Sequence, residues 1–167
     1  FYAEGIPSVT SPFKGGDGTD ENPFEIWTYA DLEMMSYLVN NENATYSSKS
    51  YRLMADIYAS GNFTPIGGTP SLAFKGKFDG GGNSINNLNV NLNLTSITER
   101  RGAGLFGSLI NATIENIIFN NANIVTSIIS SATPDSGGVV AGEATDTTFK
   151  NISIYNSNIS LYKGTVT

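Results

Sequence analysis

An internal repeat is the feature that most constrains this chain. SINNLNVN from Ser84, TIENIIFN from Thr113 and TFKNISIY from Thr148 can be superimposed so that their apolar positions coincide. The matched sets are Ile85, Ile114 and Phe149; Leu88, Ile117 and Ile152; and Val90, Phe119 and Ile154. Ile124 and Ile159 extend the match at an offset of 35. At the same offset GAGLFG, Gly102 to Gly107, aligns with GGVVAG, Gly137 to Gly142. The first interval reads as 29 residues and the second as 35, with the difference assigned to loops.

Units this short cannot bury an apolar face alone, but stacked copies can. Strand side chains alternate in direction, so the second and third apolar positions of each unit share a face. Stacking then sets like over like, and each buried Ile, Leu or Phe contributes about 1.5–3 kcal/mol. The expected fold is all-β: a right-handed parallel β-helix, or β-solenoid, forming one domain over residues 1–167. Asparagine supports this register. Asn87, Asn116 and Asn151 occupy one repeat position, and Asn123 and Asn158 another. An Asn repeated at a corner predicts a ladder of side-chain amides, and Asn also tolerates the left-handed backbone that corners require.

Ahead of the repeats the pattern differs. Residues 1–27 are rich in Pro, Gly and Asp and read as irregular. Thr28 and Asp31 form a capping box, followed at helical spacing by Leu32, Met35, Leu38 and Val39. A capping helix is expected over 28–41, with no second helix, and stacked coils over 51–167. Leu53, Ala55 and Ile57 alternate with Arg52, Met54 and Asp56, as in a half-buried strand.

These segments resemble the GLUG-repeat β-helix family of secreted and surface proteins from bacteria and methanogenic archaea, also found in the non-catalytic region of some IgA-cleaving peptidases. GGDGTDENPFEIWTYADLEMMSYLVN is similar to its N-terminal segment and capping helix, and YRLMADIYASGNFTPIG with FKGKFDGGGNSINNLNV to its first coils. GLFGSLINATIENIIF is close to the naming repeat, and GGVVAGEATDTTFKNISI is a degenerate copy with Val-Val-Ala in place of Leu-x-Gly. The resemblance implies a stalk, spacer, adhesin or lattice subunit, with peptidase chemistry confined to a separate domain.

Composition narrows the chemistry. The chain has no Cys and no His, which excludes thiolate nucleophiles, imidazole catalysis and Cys/His zinc sites. A net charge of −6 argues against nucleic acid as a partner, and Arg100-Arg101 reads as a solvated loop. No apolar run is long enough for a membrane-inserted helix. Asp56, Asp79 and Glu115, with Lys75, Lys77 and Arg52, are the candidates for carbohydrate chemistry, but turn and strand roles account for them. Asp17, Asp20, Glu21 and Asn22 could offer oxygens to calcium, yet lack the full loop spacing. No catalytic residue, metal or cofactor is therefore assigned.

N-glycosylation sequons stand at Asn43, Asn62, Asn93, Asn111, Asn151 and Asn158. The first four are expected in loops and open to modification, the last two hidden in ladders. Tyr46, Tyr51 and Tyr58 are candidate contact residues. A solenoid stopping at NISLYKGTVT is expected to expose an open end, to be met by more of the same chain or by another subunit. The expected function is that of an extracellular or cell-surface structural protein that assembles with itself into a filament, sheath or surface layer. The alternative is an adhesin stalk or binding module for host protein or glycan, and a carbohydrate-active enzyme is the remote third.

Overall fold

The computed structural model describes residues 11–94, 100–128 and 136–163. The chain is all-β with parallel sheets and a helical N-terminal region. In chain order it runs β1 (Phe24–Ile26), α1 (Tyr29–Asn41), α2 (Asn43–Tyr46), β2 (Ser50–Leu53) and β3 (Ile57–Tyr58). A 3-10 turn at Pro70–Leu72 precedes β4 (Lys77–Asp79), β5 (Ser84–Asn86), β6 (Asn89–Leu94), β7 (Gly102–Ala103) and β8 (Phe106–Ile110). There follow β9 (Thr113–Asn120), β10 (Asn123–Ile128), β11 (Ser136–Gly137), β12 (Ala141–Thr145), β13 (Thr148–Tyr155) and β14 (Asn158–Lys163). The short α2 departs from the sequence expectation of a single helix. Among the described residues no helix is long and apolar enough to cross a membrane.

Every paired strand is parallel to its neighbour, and like residues stand beside like. Phe24, Tyr51, Phe78, Ile114 and Phe149 form one column across β1, β2, β4, β9 and β13. Ile57, Ile85, Phe119 and Ile154 form a second, and Val90, Ile124 and Ile159 a third. Tyr51, Phe78, Ile114, Ile85, Phe119, Val90 and Ile124 have almost no solvent exposure, so these columns are the core. Two strand tiers result, β7 to β10 and β11 to β14, each strand of the second paired with its counterpart in the first.

The register corrects the sequence alignment in its first interval. Ile85 pairs with Phe119, not Ile114, and Val90 with Ile124, not Phe119. The offset there is 34, and the matched stretches are INNLNV and FNNANI. Leu88 therefore stands level with Ala122, whose neighbour Asn123 donates its N–H to the Leu88 carbonyl. Ile117 and Ile152 are side by side, but Leu88 is not in their column. The cause is a bulge at Gly80–Asn83, which separates β4 from β5 while both pair with the continuous β9. Gly80 fits there because a Cβ would lie 2.4 Å from the Asn116 carbonyl oxygen. The second interval holds at 35 through β8 to β10, but Gly102 pairs with Ser136 rather than Gly137.

Bends in the strands fall on asparagine. Asn111, Asn116 and Asn121 have φ of 52°, 55° and 56°, and Asp146, Asn151 and Asn156 repeat this one tier on at 48°, 50° and 48°. Asn87, at 59°, belongs to the Asn121 position, not the Asn116 position. Asn is among the few non-glycine residues that enter this region readily, and its recurrence every five residues turns the chain at regular points.

The N-terminal side of the core is sealed. Thr28 Oγ1 accepts from the Asp31 N–H at 3.2 Å and Asp31 Oδ2 accepts from the Thr28 N–H at 2.9 Å, which closes the capping box. Leu32, Met35, Leu38 and Val39 of α1 are buried in the same core as the strand columns. Asn40 ties the helix to the following loop, donating to Pro65 O at 2.9 Å and accepting from Gly68 N at 2.9 Å. Phe13 packs on Phe24 with ring centres 4.9 Å apart.

Candidate functional site

Among the described residues, nothing covers the second tier. Phe149, Ile154, Ile159 and Leu161 are 45%, 47%, 46% and 57% exposed, while the residues beneath them, Ile114, Phe119, Ile124 and Thr126, are at 1% or less. Ile152 is half-buried above a fully buried Ile117. With Tyr155 and Tyr162, six of the ten exposed large hydrophobics among the described residues lie on β13 and β14. Phe149, Ile152 and Ile154 also line a groove with Val139, Val140 and Ala141 of the preceding segment. The face is thus a continuous, in-register apolar layer that none of the described residues covers, not a scatter of surface residues.

Three amide ladders run up to or toward this face. Asn120 Nδ2 donates to Asn86 Oδ1 at 3.0 Å. Asn123 donates to Asn89 at 3.0 Å, and Asn158 to Asn123 at 3.2 Å. Asn116 donates to the Asp79 carboxylate at 3.1 Å, and Asn151 to Asn116 Oδ1 at 3.0 Å. An ionised carboxylate can only accept, so Asp79 fixes the sense of its ladder, and Asn151 must present Oδ1 outward. The sequence-derived pairs Asn116/Asn151 and Asn123/Asn158 thus lie in ladders. Asn87 does not, and Asn89, Asn86, Asn120 and Asp79 were missed. The Asn-Asn dipeptides at 86–87 and 120–121 were the signal that would have aligned them.

The carboxylates are held by structure. Asp56 Oδ1 accepts from Ser84 N and Oγ at 2.8 and 2.9 Å. Asp79 also accepts from Gly81 N at 2.8 Å and lies 3.9 Å from Arg52 Nε. Glu115 pairs with Lys77 at 2.7 Å, and that hydrogen bond holds the ammonium pKa above its ordinary value. Lys75 is exposed. In the acidic turn, Asp17 accepts from Thr19 N and Oγ1 at 3.0 and 2.7 Å, which holds its carboxyl below the usual range. Asp20 instead accepts from Ser50 Oγ, and Glu21 and Asn22 are exposed. Among the described residues no three acidic side chains converge as metal ligands. Arg100 is exposed outside the strands, as expected, but pairs with Glu143 at 2.5 Å.

Other candidates move. Tyr51 is fully buried, its hydroxyl donating to Tyr46 O at 2.9 Å while burial pushes its pKa well up; Tyr46 is half-buried and only Tyr58 is open. Asn43 lies in α2, not a loop, with Nδ2 donating to Val39 O and Leu72 O at 3.0 and 2.8 Å. Asn62 is exposed but its amide brackets Asn91, and Asn93 is exposed within β6, not a loop. Asn111 is exposed at its bend. Asn151 and Asn158, expected to be hidden, are exposed, since no further tier of the described residues lies over them.

A second concavity of about 540 Å³ lies between α1 and the 62–72 segment, lined among others by Glu33, Tyr37, Asn41, Phe63 and Arg101. Tyr37 is exposed, but Ser36, Asn40 and Asn62 spend their hydrogen bonds on the protein's own backbone.

No family model matches the chain. In an alignment of 125 positions that covers 65% of the chain, it is 36% identical to Halomucin of Haloquadratum walsbyi, and the match spans about 1% of that protein. In three dimensions 92% of the chain superimposes on 57% of a crystal structure from Bacteroides ovatus, described as a candidate immunoglobulin A1 protease, with a TM-score of 0.55 and 17% identity. That likeness concerns the fold alone.

Proposed function

We propose that this chain is a structural module of a cell-surface or extracellular protein, a right-handed parallel β-helix of the GLUG-repeat kind. Its tiers are successive coils, and it is built to be stacked with further coils into a filament, sheath or surface layer. The observation that carries this reading is the exposed, in-register apolar layer of Phe149, Ile152, Ile154, Ile159 and Leu161. A layer of that kind has value only under another layer. Support also comes from the similarity to Halomucin, whose name places it among mucin-like proteins. The role is mechanical rather than catalytic, because each carboxylate singled out for carbohydrate chemistry holds a turn, a neighbouring strand or an ion pair.

Immunogold labelling of thin sections of cells of the source organism, with antibody raised against the purified chain, tests the reading. Label on the envelope or on extracellular material is expected, and label confined to the cell interior overturns it. The 540 Å³ groove beside the exposed Tyr37 favours a second reading, a stalk that also binds protein or glycan. Glycan-array binding that is lost in Tyr37→Ala would support it.

A further inference from the structure

The open face specifies its occupant. We propose that it takes a further β-coil of the same pattern, laid parallel on β13 and β14, with a side-chain hydrogen-bond donor opposite each of Asn151 and Asn158. This rests on the reading of the tiers as coils and names what those coils accept.

Three observations carry it. First, the apolar residues of β13 and β14 continue columns that are parallel at every step below, so a parallel coil extends them without a change of register. Second, the ladders have a sense. Asp79 accepts, Asn116 donates downward and accepts from above, and Asn151 repeats this, which leaves its Oδ1 as an acceptor at the open face. Asn158 likewise spends its Nδ2, downward on Asn123 and along its own strand on Ser160 Oγ, and leaves Oδ1. The occupant therefore carries two donors seven residues apart, the spacing of Asn116 and Asn123 in the tier beneath. An aspartate at either place would set carboxylate against carbonyl.

Third, an unaltered second copy does not meet these demands. Its N-terminal side is closed by α1, and the outer edge of β6 is taken by Asn62 and Phe63, with Phe63 N donating to Asn89 O at 2.8 Å. Two open faces meeting about a twofold axis would run antiparallel, which breaks the like-on-like register and sets each ladder against one of its own sense.

The test is hydrogen exchange on the purified 167-residue chain, with a peptide of residues 113–128 carrying lysine tails for solubility. Expected is at least a tenfold slowing of amide exchange in β13 and β14 with the native peptide, and none with its Asn116→Asp/Asn123→Asp form. Equal protection by both peptides overturns the donor requirement. No protection by the native peptide overturns the occupant, as does a peptide-independent dimer that shields the same strands. Failure of the underlying reading is separate: β9 and β10 would then exchange as freely as β13 and β14 before any peptide is added.

Discussion

At the scale of single residues, asparagine has two separable tasks, left-handed backbone and amide ladder. Asn116 performs both, with φ of 55° and hydrogen bonds to Asp79 and Asn151. Asn121 has the same backbone at 56°, but it is exposed and outside the ladders. Glycine keeps the backbone and deletes the ladder, whereas alanine removes both. Asn116→Ala should cost about 2–3 kcal/mol, from about 1–2 for the forced backbone and about 1 for the hydrogen bonds. Asn116→Gly should cost only the ladder share and the entropy of glycine, and Asn121→Gly less again; urea denaturation of the three variants checks the order. Lys77 supplies a pH test. Its folded pKa is raised above the ordinary 10.5 by the Glu115 hydrogen bond, so its contribution is full below 10.5 and disappears as pH rises through the folded value. The melting temperature of Glu115→Gln should lie about 1–2 °C below the parent at pH 7–9, as suits a half-exposed pair worth about 0.5 kcal/mol, and the gap should close as the pH rises past 10.5 and through the folded value.

Individual elements were legible in the sequence wherever a local rule governs them. Thr28, Asp31 and the spacing of Leu32, Met35, Leu38 and Val39 state α1 without reference to any other segment, and the structure buries all four apolar residues. Thr28→Ala should lower stability by about 1 kcal/mol, read as a fall in melting temperature, because it leaves an amide of the first turn unpaired. The pairing of β9 with β13 was legible too, since no insertion intervenes between Thr113 and Asn120 or between Thr148 and Tyr155. What stayed hidden was the pairing of β4 and β5 with β9. Aligning Ile85 with Ile114 preserves an apolar-x-x-apolar-x-apolar pattern, and Phe119, Ala122 and Ile124 repeat that pattern five residues on, so the pattern alone cannot distinguish the two alignments. The bulge at Gly80–Asn83 decides between them, through the approach of Gly80 to Asn116, and such an approach is a tertiary fact. The short α2 was hidden for a similar reason: its four residues bury no side chain, and Asn43 is held by Leu72 O from 29 positions away.

Across the whole molecule, stability should fall from the sealed side to the open one, and identical residues at equivalent positions make the gradient measurable. Ile124 and Ile159 are register partners in β10 and β14, at 0% and 46% exposure, and Ile117 and Ile152 repeat the comparison in β9 and β13. Truncating a covered Ile removes its transfer energy and leaves a cavity, at about 2–5 kcal/mol. Truncating its uncovered partner leaves no enclosed cavity and forfeits only the half already out of water, about 1 kcal/mol. Ile124→Ala should therefore cost at least twice what Ile159→Ala costs in urea denaturation, and Ile117→Ala should exceed Ile152→Ala likewise. The gap is a property of the free chain and should shrink when the open face is covered, because Ile159 then acquires the same surroundings as Ile124. Equal costs in the isolated chain would mean that the second tier is already roofed in solution, and the apolar layer would then cease to argue for a stacking partner.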